Sequence, residues 1–392
     1  MMQVICFGSS IIELWVNEDG KETKTVFTGD LGNNDIPLLS SPTMIENADY
    51  LVMESTYGSR LHLRNDEKAK IFLDVVSETL DKGGTVVIPS FAVGRTQEIL
   101  YEINRLKDEH KDDEDFKEKY RTLMKADVFV DSPLAISATE VFRENANLFE
   151  PEVQEEIMRG DNPLEFPGLH FTRTADESKA LNESNNASII ISASGMCEVG
   201  RIKHHLKHNL WNPNSTILFV GYQAPGTLGY DIVNGAKKVK IFGEEIAVNA
   251  RIEYIEGYSG HADQEGLMNF IYSFITKPKH IFLVHGEPES QDVLKGKIDE
   301  ETKIPVSIPE FGETYEITSE EVKLTNKIER KVVRTLRDEI SQRLTKLKPE
   351  IEEMEKYIRE DIANENLRDE DIFRINEKIK DLEKQIANVV EG

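Results

Sequence analysis

The sequence is short of cysteine, of net positive charge and of long apolar runs, and each shortage excludes something. Two cysteines, Cys6 and Cys197, are too few for a disulfide framework or a cysteine-rich zinc site. No stretch approaches the roughly 18 apolar residues that a membrane-spanning helix needs. The opening Met1-Met2-Gln3-Val4-Ile5 has no basic region followed by an apolar stretch, so it does not read as a secretory signal. A cytoplasmic, reducing location is expected. Forty-seven Lys and Arg stand against 72 Asp and Glu, a formal charge of −25. A chain this acidic is repelled by nucleic acid unless positive charge is gathered locally, because phosphate neutralisation supplies most non-specific affinity.

What is present is a globular composition, 39% hydrophobic and 30% charged over 392 residues, enough for two or three domains. Ile11–Val16 is a β-rich run, Asn17-Glu18-Asp19-Gly20 a turn, and 23–28 a returning strand. That strand ends in Thr28-Gly29-Asp30, and the apolar run Tyr50–Met53 ends in Glu54. Two strands thus each deliver a carboxylate at their C-terminal end, where open α/β sheets place their chemistry. From about residue 66, helices alternate with strands at 85–89, 128–130, 188–191 and 216–220, which implies a mainly parallel sheet. After about 247 the earlier style resumes, with strands leading to Ser259-Gly260-His261-Ala262-Asp263 and to Val284-His285-Gly286-Glu287.

His261 and His285 are the most informative residues. Each follows a strand in a small-residue turn rather than sitting on an apolar helix face. Imidazole is the commonest metal ligand and titrates near neutral pH, although a single histidine is more often a satisfied surface or core residue. A carboxylate such as Asp30 suits metal coordination, and for both Asp30 and Glu54 the alternative is plain turn and helix capping.

Several stretches, taken in order, resemble the motifs of one family. Thr28-Gly29-Asp30-Leu31-Gly32 is similar to the fourth metal motif of the metallo-β-lactamase superfamily. Glu54-Ser55-Thr56-Tyr57-Gly58 resembles motif A of the β-CASP nucleases, Ser259–Asp263 motif B and Val284–Glu287 motif C. Ile88–Glu98, Ser192–Cys197 and Gly221–Gly229 resemble the β-CASP insertion. The resemblance runs from residue 8 to about 320 and is nearest to the branch with the cleavage subunit of the polyadenylation machinery. It implies a partial metallo-β-lactamase αββα sandwich, residues 1–60 and 247–320, interrupted by a β-CASP α/β domain at 61–246.

The implied chemistry is hydrolysis of single-stranded RNA by a water activated between two zinc ions. Asp30 would bridge the metals and His285 would bind one. His261, oriented by Glu54, would contact the scissile phosphate or protonate the leaving oxygen. Arg95 at a helix start and Ser192, Ser194 and Gly195 in a tight turn are candidates for receiving phosphates. Arg201 and Lys203, with His204, His205 and Lys207, form either a basic patch beside them or a solvated helix face. Phe91 and Tyr222 either stack on bases or pack in the core.

The family's His-x-His-x-Asp-His motif is absent, and Ile5 takes the place of a further metal-binding histidine. The expectation is a chain truncated within the third motif, binding zinc weakly and inactive alone. A non-catalytic RNA-binding or scaffold relative is the competing reading.

The tail differs in kind. Leu336, Ile340, Leu344, Leu347 and Ile351 recur at steps of four and three, and Ile372 to Ile386 repeat the pattern after a polar break. This is the seam of a helical hairpin or coiled coil over 326–392, suited to a homodimer. Deleting 326–392 is therefore expected to lower the mass measured by light scattering while the remainder still unfolds cooperatively. An unchanged mass argues against the tail as an assembly element.

Overall fold

The computed structural model describes residues 9–326 apart from 34, 35, 37 and 185. The coiled-coil and homodimer expectations for 326–392 lie outside the described residues, except that Asn326 closes the strand Val322–Asn326. Cys6 and Ile5 lie outside them as well.

Two sheets organise the described chain. The first has five strands in the order Ile12–Glu18, Lys21–Phe27, Tyr50–Glu54, His280–Val284, Val306–Ser307. The opening pair is an antiparallel hairpin, and the remaining pairs are parallel. Asp19 and Gly20 turn the hairpin with φ of 51° and 78°, the left-handed pair that a two-residue turn between twisted strands requires. Two helices, Gln264–Tyr272 and Pro288–Thr302, supply Leu267, Phe270, Leu294 and Ile298 to the core against Leu51, Met53, Ile281 and Leu283.

The second sheet has six strands, all parallel: Arg251–Tyr254, Thr216–Phe219, Val86–Pro89, Ile189–Ser192, Val128–Val130 and Leu169–Phe171. Side chains alternate across a strand, and here both alternating sets are covered. Val86, Ile88, Ile189 and Ile191 face the core beneath helices Asn65–Asp81 and Arg95–Glu109. Val87, Ile217 and Phe219 face Ile202, Leu206 and Ile232 on the other side. Burial on both faces explains why these strands read in sequence as unbroken apolar runs.

One boundary moves. The sequence reading returned the chain to the first sheet from 247, whereas Arg251–Tyr254 still pairs with Thr216–Phe219. It is the edge strand of that sheet. No described helix is long and apolar enough to cross a membrane.

Candidate functional site

Three neighbouring strands of the first sheet run parallel and end together. Lys21–Phe27 hands on to Asp30, Tyr50–Glu54 ends on Glu54, and His280–Val284 hands on to His285, with Val284 in register with Glu54. The fourth member, His261, arrives on the loop that leaves Arg251–Tyr254 of the second sheet. That loop is zipped onto the segment after Asp30. Asn33 N–H donates to the Gly260 carbonyl at 2.9 Å, and Ala262 N–H to the Leu31 carbonyl at 2.8 Å.

Glu54 is the hub. Its side chain is 1% exposed and accepts from Leu31 N–H at 2.5 Å and from the Thr56 hydroxyl at 2.5 Å. The His261 ring places Nδ1 3.1 and 3.0 Å from its two oxygens. A carboxylate only accepts, so Nδ1 carries the proton and Nε2 points away from Glu54. Burial alone pushes the His261 imidazolium toward losing its proton. The hydrogen bond and charge of Glu54, with the charge of Asp30, outweigh burial and the opposing Arg95, and the pKa rises above the usual histidine value.

Asp30 and His285 are open to solvent. His285 Nε2 lies 3.4 Å from Asp30 Oδ1, and the His261 and His285 rings lie 5.9 Å apart between centroids. His285 has a left-handed backbone, φ 48°, which is uncommon for a residue with a Cβ. It is held there because Ser55 N–H donates to its carbonyl at 3.0 Å. A Cβ on Gly286 would come within 2.5 Å of the Ser55 hydroxyl oxygen, so glycine alone lets these two chains approach.

Asp30, His261 and His285 each offer a donor atom, all within 4.8 Å of one another, and they are the metal-competent group among the described residues. Nitrogen and carboxylate donors suit zinc, and three of them suit one ion with an open position rather than two ions. None of the other seven of the nine histidines joins this group.

The candidate phosphate contacts fare differently. Arg95 follows Gly94, the N-cap of its helix, but its guanidinium is 10% exposed and donates to Glu98 at 2.5 Å. Arg201 donates to the Asp131 carboxylate at 2.6 Å and to the Thr172 carbonyl at 2.9 Å. His205, fully buried, lies 2.6 Å from the other Asp131 oxygen, beside the Ser178 hydroxyl. Lys207 pairs with Glu244 at 2.6 Å, and Lys203 lies over the Phe242 ring. The basic cluster therefore largely spends its charge on internal partners. Ser192 is buried and donates to the Asp131 carbonyl, whereas the Ser194 hydroxyl accepts from Glu198 N–H.

The two aromatics stay outside the core. Phe91 and Tyr222 are 41% and 42% exposed. They lie on loops leaving adjacent parallel strands, with the Phe91 ring so close to Gly195 that a Cβ there would sit 3.1 Å away. Tyr222 lines a cleft with Tyr57, Arg60 and Tyr254.

Sequence reasoning missed the parts played by Thr56, which braces Glu54, and by Asp263. Asp263 caps helix Gln264–Tyr272 and accepts from His62 N–H at 2.9 Å. An acidic residue directly before an apolar helical run was the available signal for Asp263.

The Asp131 network yields a stability prediction. Burial pushes the Asp131 carboxyl up, but hydrogen bonds from His205, Ser178 and Arg201 outweigh it and hold the group below the usual carboxylate range. A depressed native pKa stabilises the fold above the unfolded value of about 4, and the contribution is lost as pH falls through the native one. Asp131→Ala is expected to cost about 3–5 kcal/mol by stranding Arg201 and His205, read by urea unfolding at pH 7. A loss under about 1 kcal/mol, or a loss that stays the same at pH 3, sinks this account.

Known proteins place this arrangement. Residues 96–232 match the family described as Beta-Casp domain, and 245–309 match the Zn-dependent metallo-hydrolase RNA specificity domain. The chain is 36% identical to ribonuclease TTHA0252 of Thermus thermophilus over 76% of its own length and 65% of that protein's. It is 34% identical to an RNase J-like protein of Methanocaldococcus jannaschii, over 78% and 67% of the two lengths. Integrator complex subunit 11 of Danio rerio is 27% identical over 80% of this chain and 48% of its own. The chain thus spans about two thirds or less of these relatives. With both domain types in order and the Glu54–His261 pair beside Asp30 and His285, it belongs to the β-CASP family of metallo-β-lactamase-fold RNA-processing nucleases.

Proposed function

We propose that the chain supplies the strand-holding and proton-donating side of a zinc-dependent RNA phosphodiesterase. The observation that carries this reading is the pair of buried Glu54 and half-buried His261 beside the exposed Asp30 and His285. Similarity to a ribonuclease and an RNase J-like protein supports RNA as the substrate class.

Asp30 and His285 are the residues that would hold zinc. When bound, zinc supplies Lewis acidity and brings the pKa of water from 15.7 to about 7. The protein's own part is proton delivery and positioning. Glu54 takes the Nδ1–H of His261, fixing the ring so that Nε2 addresses the oxygen leaving the phosphate. The raised proton affinity of that ring keeps it charged further toward neutral pH, as an acid at this position requires. Phe91 and Tyr222 offer π-faces for unpaired bases at the open ends of the second sheet's strands, which suits single-stranded substrate.

One observation favours a binding role for the described residues. The donor group fits one ion, whereas a two-ion centre needs about three or four ligands for each. The expected behaviour is single-stranded RNA binding with negligible cleavage. Fluorescence anisotropy in the presence of a chelator is expected to show binding, with Phe91→Ala and Tyr222→Ala each costing about 1–3 kcal/mol. No binding, or binding indifferent to both changes, removes the RNA-holding reading. Robust zinc-dependent cleavage abolished by His261→Ala would replace it with that of a self-sufficient nuclease.

A further inference from the structure

We infer that the groove beside the hairpin of residues 238–247 is a second holding site for single-stranded RNA, where Phe242 stacks on a base and Lys203 and Lys240 take phosphates. The inference rests on the reading of a chain that holds single-stranded RNA, and it adds a site outside the group around Glu54.

The turn of the hairpin carries it. Lys238–Ile241 and Glu244–Ala247 pair antiparallel and are joined by Phe242 and Gly243, with φ of 51° and 83°. A two-residue turn with both residues left-handed favours Asn-Gly or Asp-Gly. The hairpin of the first sheet obeys this, with Asp19-Gly20 at φ of 51° and 78°. Here an aromatic residue takes the same place, in a conformation that is strained for a bulky side chain. Burial does not offset the strain, because Phe242 is 51% exposed. An exposed ring kept in strained backbone points to something it meets from solvent.

Its neighbours say what. The His204 ring lies 4.5 Å from that of Phe242 between centroids, and Lys203 Nζ lies 5.4 Å from it. Lys203 also lines a groove of about 600 Å³ with Leu228, Lys238, Val239 and Lys240. Lys238 and Lys240 are exposed while Val239 between them is buried, so the two lysines share one face about 7 Å apart. Lys238 pairs with Glu245, whereas Lys203 and Lys240 have no carboxylate partner among the described residues. Of the two acids on the groove, Glu198 accepts from Leu228 N–H at 2.6 Å. Asp231 stands in the first turn of helix Leu228–Val233, where the helix amides offset negative charge. A ring among cations is what a single strand needs, since its π-face takes any base and the ammonium groups take phosphates. An acidic polypeptide would use the lysines and gain little from the ring.

The groove also continues the first platform. Gly195 lies beneath Phe91, and Glu198, three residues on, lines the groove. Three residues span at most about 11 Å, so a strand seated on Phe91 reaches the groove within a few nucleotides.

The test measures binding of two oligouridylates, about 5 and about 16 nucleotides long, to the full chain by fluorescence anisotropy in chelator. Phe242→Asn places a residue at ease in the left-handed turn, so its urea midpoint should hold or rise. Its affinity for the longer oligomer should fall about five- to hundredfold, while the shorter one, seated on Phe91 and Tyr222, binds as it does to wild type. Lys203→Ala combined with Lys240→Ala should flatten the log–log salt slope of the longer oligomer by about 1.4. Unchanged affinity for the longer oligomer in Phe242→Asn overturns the inference, and that is the result expected if the groove takes an acidic polypeptide instead. An equal loss for both lengths, or a loss accompanied by a lower urea midpoint, overturns it as well. If neither oligomer binds wild type, the RNA-holding reading fails and takes this site with it. If both bind and only Phe91→Ala and Tyr222→Ala weaken them, this second site alone fails.

Discussion

The buried carboxylate of Glu54 is the constraint on which the rest of the site depends. A charge taken out of water must find partners or give up its ionisation. Glu54 finds them on three separate pieces of chain: a backbone amide after the first sheet's second strand, a hydroxyl two residues on, and an imidazole from the far sheet. Each partner that satisfies the charge is also fixed by it. The same interaction that makes the carboxylate tolerable pins the loop carrying His261 to the segment carrying Asp30.

This economy depends on strand direction. Parallel strands deliver all their C-terminal ends to one edge, and the two larger sheets among the described residues are largely or wholly parallel. Asp30, Glu54 and His285 are far apart in sequence yet leave neighbouring strands of one sheet. Phe91, Gly195 and Tyr222 do the same for the other. His261 follows the outermost strand of the second sheet, and its loop is hydrogen-bonded to the segment after Asp30. The site is therefore a property of topology first and of side chains second.

That is also why the sequence told some of it and not the rest. The ends of strands are visible as apolar runs that break into Gly, Ser and acidic residues, so Asp30, Glu54, His261 and His285 stand out in the sequence. Backbone pairing between distant segments leaves no such trace. Arg201 looked like part of a free basic patch because its partner, Asp131, lies 70 residues away and is itself invisible as a buried anion. Phe91 and Tyr222 looked more like core than surface, yet both are exposed, because composition says nothing about which glycines lie beneath a ring. The placement of Arg251–Tyr254 turned on its pairing with Thr216–Phe219, which a residue-by-residue reading cannot register.

The left-handed backbone at His285 constrains what else that position can become. For side chains with a Cβ, this conformation is least costly for asparagine, aspartate and histidine, and it is severe for β-branched residues. Each member of the tolerated set carries a nitrogen or oxygen able to coordinate a cation. Sequence drift at this turn is thereby channelled: backbone strain filters substitutions before any selection for chemistry acts. A lineage that stopped using the site could drift to glycine, which has no Cβ to strain, or keep one of these ligands.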